Sequence, residues 1–276
     1  MSVIDLKANP PKVLATLEAG KGAAGISINR QGTLALVSNL ADGTVSVFTI
    51  QGKTVTPAGT VEVGGPKAGG GMVAITPDGK TALVSRSVDN KVSVLSIDGT
   101  RVEYTKRDMT PGVRPVVMDI ASNGAFAVVG SLAGAASGDH DSVSLIDLTA
   151  RPPRVVDTIG VLGATAEGVK ISPDSSVVAV VVHNGSNRAK DSPFYNDAGK
   201  LVMVRVTGTM LSRVAEGRIG RWSQGAAFAP DGKTILVGNM IEKDYWVFQW
   251  DGSTLRDTGQ RVKMSGGPPA IRTAEK

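Results

Sequence analysis

The amino-acid sequence predicts an all-β protein made of short antiparallel strands, and three observations support this prediction. Aromatic residues make up only 4% of the 276 residues, so the core must consist mainly of Val, Ile, Leu and Ala. The chain contains 34 glycines, which suit frequent tight turns. A unit of a short apolar run, a turn and a second apolar run recurs five times. Together these features favour many short strands over a helical bundle.

The repeated unit can be aligned on its first turn, which is Thr-Pro-Asp-Gly at 76–79 and Ala-Pro-Asp-Gly at 229–232. The related turns at 29–32, 121–124 and 172–175 complete the set. Proline fixes φ at the second position of such a turn and glycine accepts a positive φ, so the chain reverses sharply. Two further β-branched runs follow in each unit. Each unit therefore predicts a four-stranded antiparallel sheet, with strands A to D in chain order.

A single sheet of this kind cannot bury both of its faces. Copies that pack face to face around an axis can do so, and this arrangement is a β-propeller. The pattern I-x-P-D-G-K-x-L-x-V-S/N, followed by V-S-V, resembles the YVTN-type β-propeller repeat of the lactonase-like and nitrite-reductase-like propeller families. The resemblance covers essentially the whole chain. It implies the fold rather than one activity, because such propellers host many functions.

We expect one domain over residues 1–276, with six blades. Five complete blades are predicted at approximately 24–66, 71–112, 116–164, 168–219 and 225–266. The closing blade combines residues 2–18, which match strands C and D, with residues 268–274, which match strand A. No run matches its strand B. Either this blade has three strands, or further residues precede Met1.

Composition excludes several classes of site. The chain has no cysteine, which rules out disulfides and thiolate metal ligands. The formal charge of +5 is scattered rather than clustered, so we expect no nucleic-acid partner.

No apolar stretch is long enough for a membrane span. The N-terminus has no signal-peptide pattern. Because relatives with this repeat are often exported from bacteria, the resemblance implies a periplasmic or extracellular protein, and we expect a monomer.

The loops indicate which edge of the blades carries function. The A–B turns are uniform and tight, whereas the B–C connections differ in length between blades. Blade 3 has the connection SLAGAASGDHDS and blade 4 has HNGSNRAKDSPFYNDAG. Long irregular loops on a rigid scaffold usually carry the binding residues. We therefore place the functional edge on the D–A and B–C side, mainly at blades 3 and 4.

Polar residues recur where strand B ends and just before strand A begins, positions that meet at the mouth of a propeller channel. The predicted ligand-binding residues are Asn39, Arg86, Ser131, Asn239, Trp222 and Gln224, with His183 at the equivalent position of blade 4. The alternative is that these side chains cap the blade ends and bond to neighbouring loops. In strand A, Asp119 and Lys170 occupy equivalent positions of adjacent blades, and an ion pair is the favoured interpretation.

Three functions follow from these residues. The first is a non-enzymatic binding protein that engages a small ligand or a partner at the channel mouth. The second is a hydrolase with Glu167, His183 and Arg114 as base, orienting group and oxyanion partner. The resemblance implies hydrolysis of cyclic esters at this position, although no matching catalytic motif is present. The third is a divalent metal site at His140, His183 and Asp141, for which an ordinary turn is the alternative. No cofactor is certain.

Overall fold

The computed structural model describes residues 1–132, 141–160 and 163–271, and within these ranges it contains strands and no helix. None of these residues forms a helix that could cross a membrane. The chain divides into two compact units, Met1–Met109 and Thr110–Lys276.

The first unit contains three antiparallel sheets. The closing sheet is β1 (Ser2–Asp5) and β2 (Lys12–Thr16). Blade 1 is β3 (Ala23–Ile28), β4 (Leu34–Asn39), β5 (Thr44–Gln51) and β6 (Thr54–Glu62). Blade 2 is β7 (Gly70–Ile75), β8 (Thr81–Arg86), β9 (Lys91–Asp98) and β10 (Arg101–Met109).

The second unit contains three four-stranded sheets, each in simple sequential order. Blade 3 is β11 (Pro115–Ile120), β12 (Phe126–Ser131), β13 (Ser142–Asp147) and β14 (Arg154–Ile159). Blade 4 is β15 (Ala166–Ile171), β16 (Val177–Val182), β17 (Gly199–Thr207) and β18 (Met210–Ile219). Blade 5 is β19 (Ser223–Phe228), β20 (Thr234–Asn239), β21 (Asp244–Trp250) and β22 (Leu255–Lys263).

The five predicted four-stranded sheets are thus confirmed, and the turn chemistry explains them. In blade 2, the amide of Gly79 donates to the carbonyl of Thr76 at 2.8 Å, and Gly79 has φ +69°. The Asp78 carboxylate accepts a hydrogen bond from the Thr76 hydroxyl at 2.6 Å, so a side-chain hydrogen bond also stabilises the turn. In blade 5 the amide of Gly232 donates to Ala229 in the same way, at 3.0 Å.

The closing sheet differs from the expectation of three or four strands. Among the described residues, two strands pair there, and they correspond to the predicted strands C and D. Of the predicted strand A at 268–274, residues 268–271 form no strand and the rest lie outside the described ranges. A strand needs a paired neighbour, and no strand of the described ranges pairs with residues 268–271.

Strand B supplies the core of each blade. All six residues of β16 are buried, and alternate residues point to opposite faces of the sheet. Val178, Val180 and Val182 pack with Val128 and Leu145 of blade 3. Val177, Ala179 and Val181 pack on the other face with residues of blade 5, among them Ile235 and Phe248. The continuous apolar run VVAVVV therefore reflects a strand that is covered on both faces.

The predicted pair between Asp119 and Lys170 is confirmed. The Lys170 Nζ lies 3.1 Å from Asp119 Oδ2, and both side chains are buried. The same carboxylate oxygen accepts a hydrogen bond from the Ile171 amide at 2.9 Å. The pair therefore joins strand A of blade 3 to strand A of blade 4.

A β-bulge interrupts the pairing of strands A and B at the same place in every blade. The register shifts between Ala23 and Gly25 in blade 1, and the corresponding shifts in the other four blades begin at Gly70, Pro115, Ala166 and Ser223. A bulge leaves one residue unpaired and re-aims its side chain. In blades 4 and 5 the bulged residues are Glu167 and Gln224, two of the predicted site residues.

Candidate functional site

His183 lies just beyond β16, at the start of the long B–C connection of blade 4. Its amide donates to the carbonyl of Thr165 at 2.9 Å, which extends the pairing of strand B by one residue. The side chain is only 2% exposed, and its Nε2 lies 3.4 Å from the side-chain nitrogen of Gln224. Within the ranges that the structure describes, its Nδ1 has no hydrogen-bond partner.

The protonation state of His183 follows from this environment. Burial lowers its pKa to about 4, with a smaller opposite effect from the backbone of Ser223. The imidazole is therefore neutral at pH 7. A neutral imidazole carries one donor and one acceptor; here Nε2 lies near Gln224, and Nδ1 has no hydrogen-bond partner among the described residues.

Gln224 reaches His183 because the preceding segment is held firmly by Asn239. The Asn239 Oδ1 accepts from the Gly220 amide at 3.0 Å and from the Ser223 hydroxyl at 2.7 Å. Its Nδ2 donates to Asp244 at 3.1 Å. Asn239 thus positions the strand that carries Gln224. Its contacts match the alternative interpretation, in which the side chains at the end of strand B cap the blade and bond to neighbouring loops.

Trp222 lies in the same segment with an exposed side chain and a φ of +50°. Its amide donates to the hydroxyl of Ser186 at 3.0 Å, so the B–C connection of blade 4 is attached to the approach of blade 5. A non-glycine residue with positive φ is uncommon and is retained where the surroundings hold it. The structure therefore places an exposed indole next to the loop that begins at His183.

The connection over residues 183–198 is an ordered loop. The Ser186 amide donates to the carbonyl of His183 at 2.9 Å, and the Asn196 side chain donates to the carbonyl of Asn184 at 2.8 Å. Gly185, at φ +84°, passes so close to the carbonyl of Phe194 that no side chain fits. In this loop Asn187 Oδ1 is a second buried polar atom without a partner among the described residues.

Glu167 lies at the bulge of β15 and is mostly buried. Burial raises the pKa of its carboxyl, and the nearby charge of Asp141 raises it further. Asp141 is fully buried, and its carboxylate accepts from the Ala166 amide at 2.8 Å. Glu167 therefore holds a proton more readily than a solvent-exposed glutamate.

The predicted catalytic residues do not form one hydrogen-bonded group. No hydrogen bond joins Glu167 to His183 in the described part of the chain. Glu167 interacts with Asp141, which comes immediately before β13 of blade 3, whereas His183 contacts Gln224 of blade 5. Arg114 is exposed with φ +54°, and its carbonyl accepts from the Leu132 amide at 3.0 Å. Their catalytic roles stay predictions.

Two further predicted residues can be placed only in part. Ser131 is buried at the end of β12, and within the described ranges its hydroxyl has no hydrogen-bond partner. His140 lies outside the described ranges. Among the residues inside them, no group of three His, Asp or Glu side chains could hold a metal. The metal site at His140, His183 and Asp141 stays a prediction.

In the first unit, Asn39 and Arg86 bond within their own blades. The Asn39 side chain donates to Thr44 at 3.0 Å and to Ser46 at 2.9 Å. Arg86 forms an ion pair with Asp89 and a second with Asp108 at 3.3 Å. These contacts match the capping alternative, and a ligand role for either residue stays a prediction.

The sequence carried a signal for these partners that the pattern analysis did not use. Strand C repeats the triplet V-S-V, and its serine lies at the same register in blades 1 and 2. Ser46 and Ser93 are the serines that bond to Asn39 and Arg86. The recurrence of a polar residue in a buried strand indicates a partner for the side chain that ends strand B.

Open cavities lie at the opposite edge of the blades, which the sequence analysis assigned to scaffolding. One of 290 Å³ lies between the A–B turns of blades 4 and 5 and is lined by Pro173, Asp231 and Trp250 among others. One of 510 Å³ occupies the equivalent position between blades 1 and 2 and is lined by Asn29, Asp78 and Asp98 among others. Their equivalence indicates a product of the repeat rather than a specialised site.

No protein-family model and no curated protein matches this chain. Solved structures do match. Hydrazine synthase of Kuenenia stuttgartiensis is 22% identical, with a TM-score of 0.77 over 98% of this chain and 82% of the other. A putative 6-phosphogluconolactonase from Bacteroides uniformis is 19% identical, with a TM-score of 0.76 over 96% and 79%. The β-propeller domain of Cps50 (Swd1) from Myceliophteria thermophila is 11% identical, with a TM-score of 0.68 over 94% and 78%.

This chain is a β-propeller. The matched structures span nearly all of it, and the repeated four-stranded sheets are the blades. At these identities the likeness concerns the fold, and function must be argued from the site.

Proposed function

We propose that this propeller is a lactonase-like protein that binds a small polar ligand at His183 and Gln224. The observation that supports the proposal is the buried, neutral imidazole whose Nδ1 has no partner among the described residues. A buried polar atom without a hydrogen bond costs about 1–3 kcal/mol. A ligand that supplies the missing bond recovers this cost.

The surroundings of His183 suit a hydroxyl-bearing ligand. The imidazole is neutral, Gln224 is an amide, and Trp222 offers an exposed aromatic face, so the site recognises hydrogen-bonding groups and a ring without a charge requirement. A cyclic polyhydroxy ester, or the hydroxy acid that it forms on opening, has these features. The putative 6-phosphogluconolactonase among the structural neighbours favours the same class of ligand.

Calorimetric titration tests the proposal with glucono-1,5-lactone and with gluconate as probes. We expect saturable binding of at least one probe, and a loss of tenfold or more in affinity for His183→Ala and for Gln224→Ala. Gln31→Ala changes an exposed glutamine on an A–B turn and is the matched control. Absence of binding by the wild-type protein, or equal affinity of the His183 variant, would contradict the proposal.

Hydrolysis of the bound lactone is a second candidate function, and the raised pKa of Glu167 favours it. In its ionised form a carboxylate with a raised pKa can remove a proton from the water that forms a new C–O bond at the lactone carbonyl, and it can return this proton to the ring oxygen when the acyl C–O bond breaks. The expected result is lactone turnover that Glu167→Gln abolishes while ligand binding persists. Binding without turnover would leave the protein as a non-enzymatic receptor.

A further inference from the structure

Strand β1 of the closing sheet has one open edge. It pairs with β2 along the other edge, and in the described part of the chain no further backbone hydrogen bond reaches it. In all five complete blades, the corresponding strand C lies between strand B and strand D. An open edge presents unpaired amide and carbonyl groups that can accept another strand.

The closing sheet reproduces the C–D pair of blade 3 almost residue for residue. Its sequence Ser-Val-Ile-Asp-Leu at 2–6 corresponds to Ser-Leu-Ile-Asp-Leu at 144–148. Ile4 pairs with Val13 and Asp5 with Lys12, as Ile146 pairs with Val155 and Asp147 with Arg154. Both pairs carry a register shift immediately before the isoleucine. In blade 3, the strand that covers this edge is β12.

One face of the closing sheet is also exposed. Ile4 and its pairing partner Val13 are 50% and 56% exposed, and Leu6, just beyond β1, is 79% exposed. On the opposite face, Met1 and Leu17 pack against the buried cluster of Ala35, Val37 and Phe48 in blade 1. The sheet is therefore anchored by one face, while the other face and the β1 edge remain accessible.

The β1 edge lacks two of the features that usually protect an edge strand, namely proline and lysine. Strands exposed at a sheet edge are commonly interrupted by bulges, prolines or lysines. The outer strand D follows this rule, since register shifts interrupt its pairing in all five blades. A register shift also interrupts the pairing of β1, between Val3 and Ile4, but β1 reads Ser-Val-Ile-Asp and has neither proline nor lysine.

We propose that β1 is a docking edge that binds an extended apolar segment of another polypeptide by β-augmentation. The repeat defines the chemistry of that segment. Strand B is six residues long in each blade and almost completely buried, with an apolar run followed by small or polar residues in Leu34–Asn39, Thr81–Arg86 and Phe126–Ser131. Main-chain hydrogen bonds supply affinity and the alternating side chains supply specificity.

The register of the complex follows from the complete blades. In blade 2 the strand-B residues Val84 and Ala82 lie opposite Ser93 and Leu95. Ser2 and Ile4 occupy the positions of Ser93 and Leu95. The docked strand therefore runs antiparallel to β1 and places one small residue opposite Ile4, with a β-branched residue opposite Ser2.

A synthetic peptide with the sequence of residues 80–87, KTALVSRS, is the probe, and the full chain is the receptor. We expect saturable binding and slower hydrogen exchange at β1 in the complex. The same peptide with Leu83→Pro is the control, because proline removes a main-chain donor and disfavours a paired strand. Its affinity should be at least tenfold lower.

Receptor variants locate the binding edge. Ile4→Lys should reduce peptide affinity at least tenfold, whereas Leu40→Lys, at an exposed apolar residue outside the closing sheet, should not. Hydrogen exchange of β5 in free Ile4→Lys shows whether blade 1 remains folded. Equal binding of the proline peptide would overturn the proposal. Sedimentation that shows dimers of the chain, lost in Ile4→Lys, together with no peptide binding, would also overturn it and assign the edge to a second copy.

Discussion

At the residue scale, burial determines the chemistry of the ionisable side chains. His183 and Glu167 both occur at ends or bulges of inner strands, and both are driven towards their neutral forms. Arg86 is equally buried but keeps two carboxylate partners. Arg86 differs from His183 and Glu167 in having neighbours of opposite charge, and a buried charge is stable only when it is paired.

Stability should depend on His183 in the acidic range. The pKa falls from 6.5 to about 4 on folding, so the unfolded chain binds a proton between these values and the folded chain does not. His183 therefore contributes stability above pH 6.5 that is lost as the pH falls towards 4. We expect the difference in unfolding free energy between wild type and His183→Asn to shrink by about 3 kcal/mol across this range. Denaturant titrations at several pH values measure it, and parallel pH profiles would refute the assignment.

Removal of Arg86 should destabilise the first unit strongly. Arg86→Met leaves Asp89 and Asp108 without their main cation, and breaking a buried pair costs about 3–5 kcal/mol. Arg101→Met is the matched control, since that side chain is 73% exposed and its pair with Glu103 lies in solvent. The control should change stability by less than about 1 kcal/mol. Urea denaturation of both variants measures these changes in unfolding free energy. Similar losses of stability in the two variants would show that the ion pairs of Arg86 do not stabilise the first unit more than an exposed pair does.

At the element scale, bulges and loops position the site on otherwise regular blades. The bulge in strand A turns Glu167 and Gln224 out of the ladder. The connection over residues 183–198 is held to the next blade by the bond between Ser186 and Trp222. The conformation of this loop thus depends on its own tight turn and on its hydrogen bond to the adjacent blade.

Gly185→Ala should disrupt this loop while leaving the sheets intact. Its φ is +84°, and an added Cβ would lie 1.9 Å from the carbonyl oxygen of Phe194. Gly208→Ala has a similar positive φ but open space around it, so it reports the backbone strain alone. We expect loss of ligand binding and faster hydrogen exchange over residues 183–198 for Gly185→Ala only. Retained binding by this variant would exclude a role for the loop conformation.

At the scale of the whole molecule, each blade is stabilised by its neighbours. A four-stranded sheet buries both faces only between two others, as blade 4 does between blades 3 and 5. Stability in such repeats is approximately a sum of unit and interface contributions. Residues at a blade interface should therefore contribute more to the free energy of unfolding than equally large residues on the surface.

Met203→Ala tests this expectation against Met210→Ala. Met203 is fully buried between blades 4 and 5, whereas Met210 is exposed at the turn of the same hairpin. The buried truncation should cost about 2–5 kcal/mol in unfolding free energy, and the exposed one less than about 0.5 kcal/mol. Chemical denaturation compares them, and equal costs would argue against tight packing at this interface.

Much of the fold could be predicted because its signals are local. The turns at Thr76–Gly79 and 229–232 depend on proline, aspartate and glycine at adjacent positions, and the apolar runs between them specify strands. The ion pair of Asp119 and Lys170 followed from the repeat alignment. The hydrogen-bond partners of Asn39, Arg86 and Asn239 could not be predicted, because they come from other strands and loops whose register with these residues is visible only in the structure.

The sequence by itself determined the all-β class, the five four-stranded sheets and the residues at the ends of strand B, since these depend on periodicity and turn chemistry along the chain. Only the tertiary structure decided that Arg86 is paired within its blade and that His183 is buried beside Gln224. It also showed that, among the described residues, β1 pairs along one edge only. Burial and pairing depend on which segments pack together in space, and a pattern of residue types along the chain carries no distances between them.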